Sequence, residues 1–520
     1  MAAPRYPIGI QTFSKIIEQG YTYVDKTAFI QRLLAHGQFI FLSRPRRFGK
    51  SLLVSTLKAY FEGKRELFKD LAIDSMDMDW TPSPVFHLDF TGENYSLEDG
   101  LERRLNLILK RLEEVYGRDS GLLSPGERFN HLIKAAYEQT GHKVVILVDE
   151  YDKPLLDIED FPEIFEKNQR ILKSVFGNLK GMDEYIRYAF ITGVARFSKV
   201  SIFSDLNNID DISMDDEFAD ICGWSEEELT MTFHDGIEAL ADKRKEDFDA
   251  TLKALREYYD GYLFASEGSR LYNPFSVLRA LKAKDISPYW FETGTPTYLV
   301  RRIRRLGIYP PDMNSQQCSI EELTAVGLHD SDPIPLMFQT GYLTIGSYDS
   351  DLELFTLRFP NREVEIGFYK NLLPLYAPIT AERNNPLNFI EFKKDLHAGR
   401  PYDFMCRLET LFKNIPYEDH TESVYRATTY LVIVLCSAFA LTEHHGYKGR
   451  SDIEVLTRNY IYIFEFKYNK TLQEAIHQLE SRDYAGRYAL DARPVFLIAA
   501  NYVEYKEDRQ LQFDIKEVSK

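Results

Sequence analysis

The sequence predicts an α/β protein made of a parallel-sheet domain, a mostly helical connecting region and a second, C-terminal α/β domain. Three observations carry that prediction. Four short apolar runs before residue 193 alternate with stretches of helical periodicity, the rhythm of strands buried between helices. The last third reads instead as helix, hairpin, helix, strand. A chain of 520 residues also exceeds what one typical core holds, so several domains are expected.

The elements follow in order. Gln38–Ser43 is a short apolar run ended by RPRRFGKS, and Leu52–Phe61 then recurs with helical spacing, giving strand, loop, helix. Val85–Phe90 is a second strand, ahead of a charged helix over Leu97–Val115. Lys143–Val148 (KVVILV) is nearly all β-branched or leucine, reads as a buried parallel strand, and ends in Asp149 and Glu150. Tyr188–Thr192 is the fourth strand, after a helix from about Phe161 to Leu179. In such sheets ligands sit in the loops at the strand C-termini. Residues 205–220 hold seven acids and no Lys or Arg and read as an exposed loop. Glu226–Tyr259 reads as two helices around KRKED, Gly261–Pro274 as a short β element, and Gly341–Ser347 with Glu353–Arg358 as a hairpin. NNPLN and HAGRPYD interrupt helical segments and mark a boundary, so the expected domains are 1–220, 221–385 and 386–520. The last of these holds a helix from Glu422 to about Ala440, strands over Gly449–Leu456 and Asn459–Lys467, a helix over Leu472–Tyr484 and a strand at Pro494–Ala499.

Composition narrows the class. An apolar fraction of 44% and a charged fraction of 28% are those of a globular protein and argue against a disordered scaffold or a coiled-coil rod. With 63 basic and 80 acidic residues the formal charge is −17, so no global positive field draws the chain to nucleic acid or an anionic membrane, and any such contact must be local. MAAPRYPIGIQTF lacks the basic flank and apolar run of a secretory signal, and Tyr430–Leu441 is well short of the roughly 20 apolar residues that span a bilayer. Cys222, Cys318, Cys406 and Cys436 form no CxxC pair, which argues against a zinc knuckle or disulfide framework. A cytoplasmic protein with no membrane partner is expected.

Two constellations carry chemistry. Gly49-Lys50-Ser51 follows a strand and opens a helix, where backbone N–H groups can point at a phosphate, Lys50 can reach its outer oxygens and Ser51 can hold Mg2+. Arg44 stands where the first glycine of a full phosphate loop is expected. Asp149 can orient water on Mg2+ and Glu150 can polarise an attacking water, the bland alternative being an acid that caps the next helix. Arg46 and Arg47 either clamp the nucleotide, face a partner subunit, or form a solvated rim. Near the C-terminus, Asp452 precedes Glu465 by thirteen residues, and Lys467 lies two beyond. Positions two apart on a strand share a face, so Glu465 and Lys467 project together and Asp452 on the preceding hairpin strand can reach the same point. Two carboxylates can hold divalent ions against a phosphodiester while the lysine orients water. An ordinary same-face charge pair is the alternative. Arg301, Arg302, Arg304 and Arg305 form the densest basic patch, either a phosphate track or a solvated helix face.

YTYVDKT (Tyr21–Thr27), RPRRFGKSLL, VDEYDKPL (Val148–Leu155), ITGVARFS (Ile191–Ser198), YDGY (Tyr259–Tyr262) and YNPFSVL (Tyr272–Leu278) resemble the AAA-ATPase-like family found mainly in gut and oral bacteria, whose members usually carry a C-terminal PD-(D/E)XK nuclease-like domain. The resemblance implies a P-loop/AAA-like sheet domain in which the missing first glycine is normal. It gives Lys50 and Ser51 the phosphate and metal roles, Asp149 and Glu150 the acidic roles, and makes Thr192 and Arg196 a sensing pair near the γ-phosphate. GRSD with Asp452 and EFK with Glu465 and Lys467 resemble the motifs of a restriction-endonuclease-like PD-(D/E)XK domain, and Gln478 and Tyr484 resemble its QxxxxxY signature. Glu422 would be an extra acidic metal ligand, with Glu443 a second candidate. The implied protein binds and hydrolyses ATP with Mg2+ and couples it to a Mg2+- or Mn2+-dependent phosphodiesterase acting on DNA or RNA. Its expected partner is nucleic acid, and a homo-oligomer is a further expectation because a neighbour's arginine often completes AAA-type sites. The rival reading is a nucleotide-driven, non-catalytic switch whose nuclease-like domain only binds nucleic acid or a protein. Metal at Asp452 and Glu465 favours the enzyme; acids turned apart or paired to Lys467 favour the switch.

Overall fold

The computed structural model describes residues 5–156, 158, 161–196, 208–290, 299, 302–303, 305–306, 308, 310–324, 332–376, 389–413, 422–436, 439–442, 445–446, 449–450, 453–482, 484–505 and 508–518. The chain divides into two compact units, one of 1–294 with 315–364 and one of 295–314 with 365–520. The stretch 221–385, read from sequence as a connecting region, is shared between them.

The first unit is built on a five-stranded parallel sheet: β1 (Phe39–Ser43), β2 (Val85–Asp89), β3 (Val144–Asp149), β4 (Ile186–Gly193) and β5 (Asp210–Asp211), in the order β2-β3-β4-β1-β5. Every residue of β3 is buried, as its unbroken Val/Ile/Leu run requires of a strand covered by helices on both faces. From β1 the chain crosses to the far edge at β2 and then returns strand by strand to β4, beside β1. That reversal leaves a crevice at the carboxyl ends of β1, β4 and β3, where the loops with Lys50 and Asp149 emerge. Helix Pro125–Thr140, absent from the sequence expectations, starts from a capping box of Ser124 and Glu127 with Pro125 in its first turn.

Residues 208–220 are more ordered than the exposed loop their acidity suggests. Asp210–Asp211 joins the sheet edge, Ile212 and Phe218 are buried, and the backbone carbonyls of Ser213 and Phe218 are bound by Arg44. The expected β element at Gly261–Pro274 is two isolated bridges, Trp224 to Tyr272 and Tyr262 to Leu271. The expected hairpin forms as β7 (Thr344–Asp349) and β8 (Leu354–Arg358), with β6 (Gln316–Cys318) added to the other side of β8.

The second unit holds a mixed sheet in the order β15-β14-β13-β12-β9: β9 (Phe439–Thr442), β12 (Ile453–Leu456), β13 (Ile461–Tyr468), β14 (Val495–Tyr505) and β15 (Asp508–Val518). β10 (His445–Gly446) and β11 (Gly449–Arg450) form a small separate ladder. β13 and β14 are parallel and the other pairs antiparallel. Helix Leu472–Ser481 covers one face, packing Ala475 and Leu479 on Ile461 and Ile463. The opposite face meets helices Phe389–His397 and Pro401–Phe412, where Tyr462 donates its hydroxyl to the Leu396 carbonyl and Phe404 packs on Phe464. The helix expected to reach Ala440 ends at Cys436, because Ala440 already pairs with Val455 in the sheet. Among the described residues no helix is long and apolar enough to cross a membrane.

Candidate functional site

The loop after β1 is built around two buried cations. Gly49 sits at φ +99°, a left-handed conformation that a side chain would strain, and the helix starts at the next residue. Lys50 is only 5% exposed, and its Nζ donates to the carbonyls of Arg44 (2.8 Å) and Pro45 (3.0 Å). Burial lowers the Lys50 pKa, while Glu150, Asp149 and Asp152 pull it back up. Arg44 donates to the carbonyls of Ser43 (2.9 Å), Ser213 (2.7 Å) and Phe218 (2.9 Å) and lies 4.4 Å from the ring centre of Phe264. Burial brings its pKa down to about 10 against the pull of Cys222, Asp211 and Asp220. The residue at the position of the usual glycine is therefore a structural bolt. Arg44→Gly, which would restore the ordinary loop, is expected to cost about 2–4 kcal/mol by stranding buried carbonyls. Urea unfolding checks this, and a loss below about 0.5 kcal/mol would count against that role.

Facing the loop, β3 delivers Asp149, 5% exposed, with Oδ1 lacking a hydrogen-bond partner among the described residues. Burial lifts its carboxyl to about 6, while a bond from the Ser51 side chain and the nearby Lys50 hold it down. Glu150 follows at φ +53°, a strained conformation for a residue with a side chain, and its carboxylate is 3.5 Å from Lys153 Nζ. A cavity of about 360 Å3 opens here. Gly49, Lys50, Ser51 and Glu150 line it, with Arg46 and Arg47, and its apolar wall includes Val24, Trp224, Phe275 and Leu278. The Arg47 guanidinium lies 4.7 Å from the ring centre of Phe275. Arg46 contributes its carbonyl to Trp290 Nε1 at 3.2 Å. Asp149, Thr192 and Arg196 are not among the residues lining this cavity, and Asp149 lies behind it against Ser51 and Lys50. The Thr192 hydroxyl donates to the Leu42 carbonyl at 2.8 Å inside the sheet. Arg196 pairs with Asp211 at 2.6 Å and its N–H donates to Gln339, beside a second cavity of about 250 Å3.

In the second unit Glu465 and Lys467 do share a face of β13, the face under helix Leu472–Ser481. Glu465 is 1% exposed, Lys467 Nζ is 2.7 Å from its Oε1, and the same Nζ donates to Gln478 Oε1 at 2.9 Å. Gln478 in turn donates weakly to the Tyr484 hydroxyl at 3.5 Å. Asp452 and Glu443 lie outside the described residues, as does the side chain of Glu422. Sequence reasoning passed over Glu454, fully buried on β12 opposite Ile463, where Arg487 (2.8 Å) and Tyr488 (2.6 Å) bind it. In the basic patch Arg302 is buried and Arg305 exposed, while Arg301 and Arg304 lie outside the described residues, so Arg302 is not a solvated residue. His234, Asp235 and Glu238 come close enough to share a cation, but they lie on the open, charged face of helix Glu226–Arg244.

Residues 7–203 match a family model described as a predicted AAA-ATPase, and residues 420–510 match one for the PD-(D/E)XK nuclease superfamily. An Azotobacter chroococcum mcd 1 protein, described as an uncharacterized protein in the vnfD 5′ region, is 35% identical over 98% of both chains. This chain belongs to the AAA-ATPase-like family. Its C-terminal domain is PD-(D/E)XK nuclease-like. The structure of the Aeropyrum pernix ORC1 protein in complex with DNA aligns over 69% of this chain and 96% of that one, at 12% identity and a TM-score of 0.26, too slight a likeness to support an argument.

The AAA-ATPase-like unit has one further acid that the sequence did not single out. Asp152 is buried, and its carboxylate accepts from the N–H groups of Val194 (2.8 Å) and Ala195 (2.6 Å), tying the end of β3 to the segment after β4. Burial lifts its pKa to about 6, and the Ala195 N–H and Lys50 hold it down. Its only sequence signal is its place in DEYD. An unfolded chain would hold this carboxyl near 3.9, so the folded wild type binds the extra proton between about pH 4 and 6 and loses that stability as pH rises through the window. Asp152→Asn does not titrate. The stability advantage of wild type over this variant is therefore expected to shrink by about 2–3 kcal/mol between pH 4 and 7. Unfolding midpoints of both proteins check it, and a pH-independent gap would refute it.

Proposed function

We propose that the first unit binds and hydrolyses ATP and that this controls a metal-dependent phosphodiesterase in the second unit, acting on DNA or RNA. The observation that carries the reading is Asp149: a buried carboxylate with an oxygen unpartnered among the described residues, against Ser51 and Lys50, which themselves line a cavity of about 360 Å3 at the start of a helix. Those residues fit a magnesium-bound nucleoside triphosphate. Lys50 would meet the outer phosphate oxygens, and Ser51 and Asp149 would hold the magnesium ion. Bound magnesium would neutralise charge on the β- and γ-phosphates. Glu150 orients the attacking water and accepts its proton, and Arg46 and Arg47 frame the phosphate end of the cavity. Thr192 and Arg196 act from behind, Thr192 by joining β4 to β1 and Arg196 by fixing the segment after β4.

At the second site Glu465, Asp452 and Glu422 are the proposed metal ligands and Lys467 the group that orients water. The described residues supply one of these carboxylates, Glu465, held against Lys467. By the criterion drawn from the sequence, that pairing favours the rival reading, a non-catalytic switch that binds nucleic acid or a protein. Cleavage decides between them. Purified protein is incubated with single- and double-stranded DNA and RNA, Mg2+ or Mn2+, with and without ATP, beside Asp452→Ala and Lys50→Ala. Cleavage lost in Asp452→Ala and altered in Lys50→Ala supports the gated nuclease. ATP turnover without cleavage of any substrate supports the switch. Localisation in the cytoplasm and self-association complete the proposal.

A further inference from the structure

The phosphate loop is held by residues far along the chain, and the bonds that hold it converge on one buried acid. Trp290 Nε1 donates to the Arg46 carbonyl at 3.2 Å, and the Trp290 backbone N–H donates to Glu363 Oε1 at 2.8 Å. The Tyr289 N–H donates to the same oxygen, and the Ser276 hydroxyl donates to Glu363 Oε2 at 2.7 Å. Glu363 is 1% exposed. Ser276 belongs to helix Pro274–Ala283, which also carries Phe275, the ring against which Arg47 lies, and Leu278 in the cavity wall. One carboxylate thus fixes both supports of the loop: the indole that binds the Arg46 carbonyl and the helix that seats the Arg47 side chain.

Glu363 is the second residue of helix Arg362–Tyr376. The start of that helix is anchored in the first unit. Asn361 donates to the Asp260 carbonyl at 2.9 Å and accepts from the Val364 N–H at 3.1 Å, and a carboxylate in a first helical turn is favoured by the helix dipole. From Glu365 onward the same helix belongs to the second unit. A buried carboxylate with both oxygens engaged resists small displacements, because losing a donor leaves a desolvated charge. A shift of the Arg46–Arg47 backbone on ligand binding would therefore be passed to Trp290 and Glu363 rather than absorbed locally.

We propose that Trp290 and Glu363 are positioning residues of the nucleotide site, tying the conformation of Arg46–Arg47 to the helix that leads into the nuclease-like unit. The inference rests on the nucleotide reading above. Its test uses the full chain, with Trp290→Phe, which keeps an aromatic ring and removes the side-chain N–H donor, and Glu363→Gln, which keeps the shape and removes the charge. Two measurements are made: amide hydrogen exchange without nucleotide, and the affinity for ATP with Mg2+.

Without nucleotide, both variants are expected to exchange several-fold faster at residues 46–49 and at 362–376 while 453–468 keeps the wild-type rate, a pattern that general destabilisation would not produce. Affinity for ATP is expected to fall about 5- to 50-fold. Trp290→Phe carries the decision if Glu363→Gln does not fold. If the loop and helix loosen together but wild type has no affinity for ATP, the nucleotide reading fails and the coupling stands. If wild type binds ATP and Trp290→Phe matches it both in affinity and in exchange at 46–49, the coupling is refuted and the nucleotide reading stands.

Discussion

Lys50→Ala is expected to weaken binding of ATP with Mg2+ by about 100-fold or more, corresponding to about 2.7 kcal/mol. The buried ammonium is placed by the carbonyls of Arg44 and Pro45, so little entropy is lost when it meets a phosphate. Its removal also leaves Asp149, Glu150 and Asp152 without the cation that attracts them, and their field then repels a polyanion. Both effects act in the same direction. The fluorescence of Trp224, in the cavity wall, or titration calorimetry reads the affinity. An affinity within about threefold of wild type would remove Lys50 from the site and with it the nucleotide reading. The fold itself is expected to survive, because an ammonium whose pKa is lowered by burial stabilises the folded chain weakly.

Glu465→Gln is expected to lower metal-dependent cleavage by about 10²- to 10³-fold while leaving ATP affinity unchanged. The substitution keeps the volume at a position that is 1% exposed and removes the charge that a divalent cation would need. Lys467 keeps its bond to Gln478 but loses its ion partner at 2.7 Å, so the second unit is also expected to lose about 1–3 kcal/mol. Cleavage assays run at a temperature where thermal unfolding shows the variant fully folded separate the two effects. Undiminished cleavage would show that the chemistry lies elsewhere.

The two sites differ in how far they could be read from the residues. Strand period two put Glu465 and Lys467 on one face, and the structure has them there because alternation along a strand is a local property of the backbone. GKS after a strand placed Lys50 and Ser51 at a helix start for the same reason. Glu454 was overlooked because one acid in IEVL looks like the solvent-facing side of a strand, and its partners Arg487 and Tyr488 are more than thirty residues away. Residues 208–220 were misread on similar grounds: their acidity suggested solvent, whereas Arg44 binds their backbone carbonyls and Ile212 and Phe218 are buried.

Sequence alone determined the two chemical motifs, the strands and most of the helices that carry them, and the order of the two modules, because periodicity, turn residues and short motifs act within a few residues of chain. The tertiary structure decided the strand order β2-β3-β4-β1-β5, the bolting of the phosphate loop by Arg44, the placing of Thr192 inside the sheet, and the hold of Trp290 and Glu363 on Arg46. Each depends on a buried polar group finding a partner far along the chain, such as the Phe218 carbonyl for Arg44, 174 residues on. Burial makes such partners obligatory, and only the folded chain shows which ones they are.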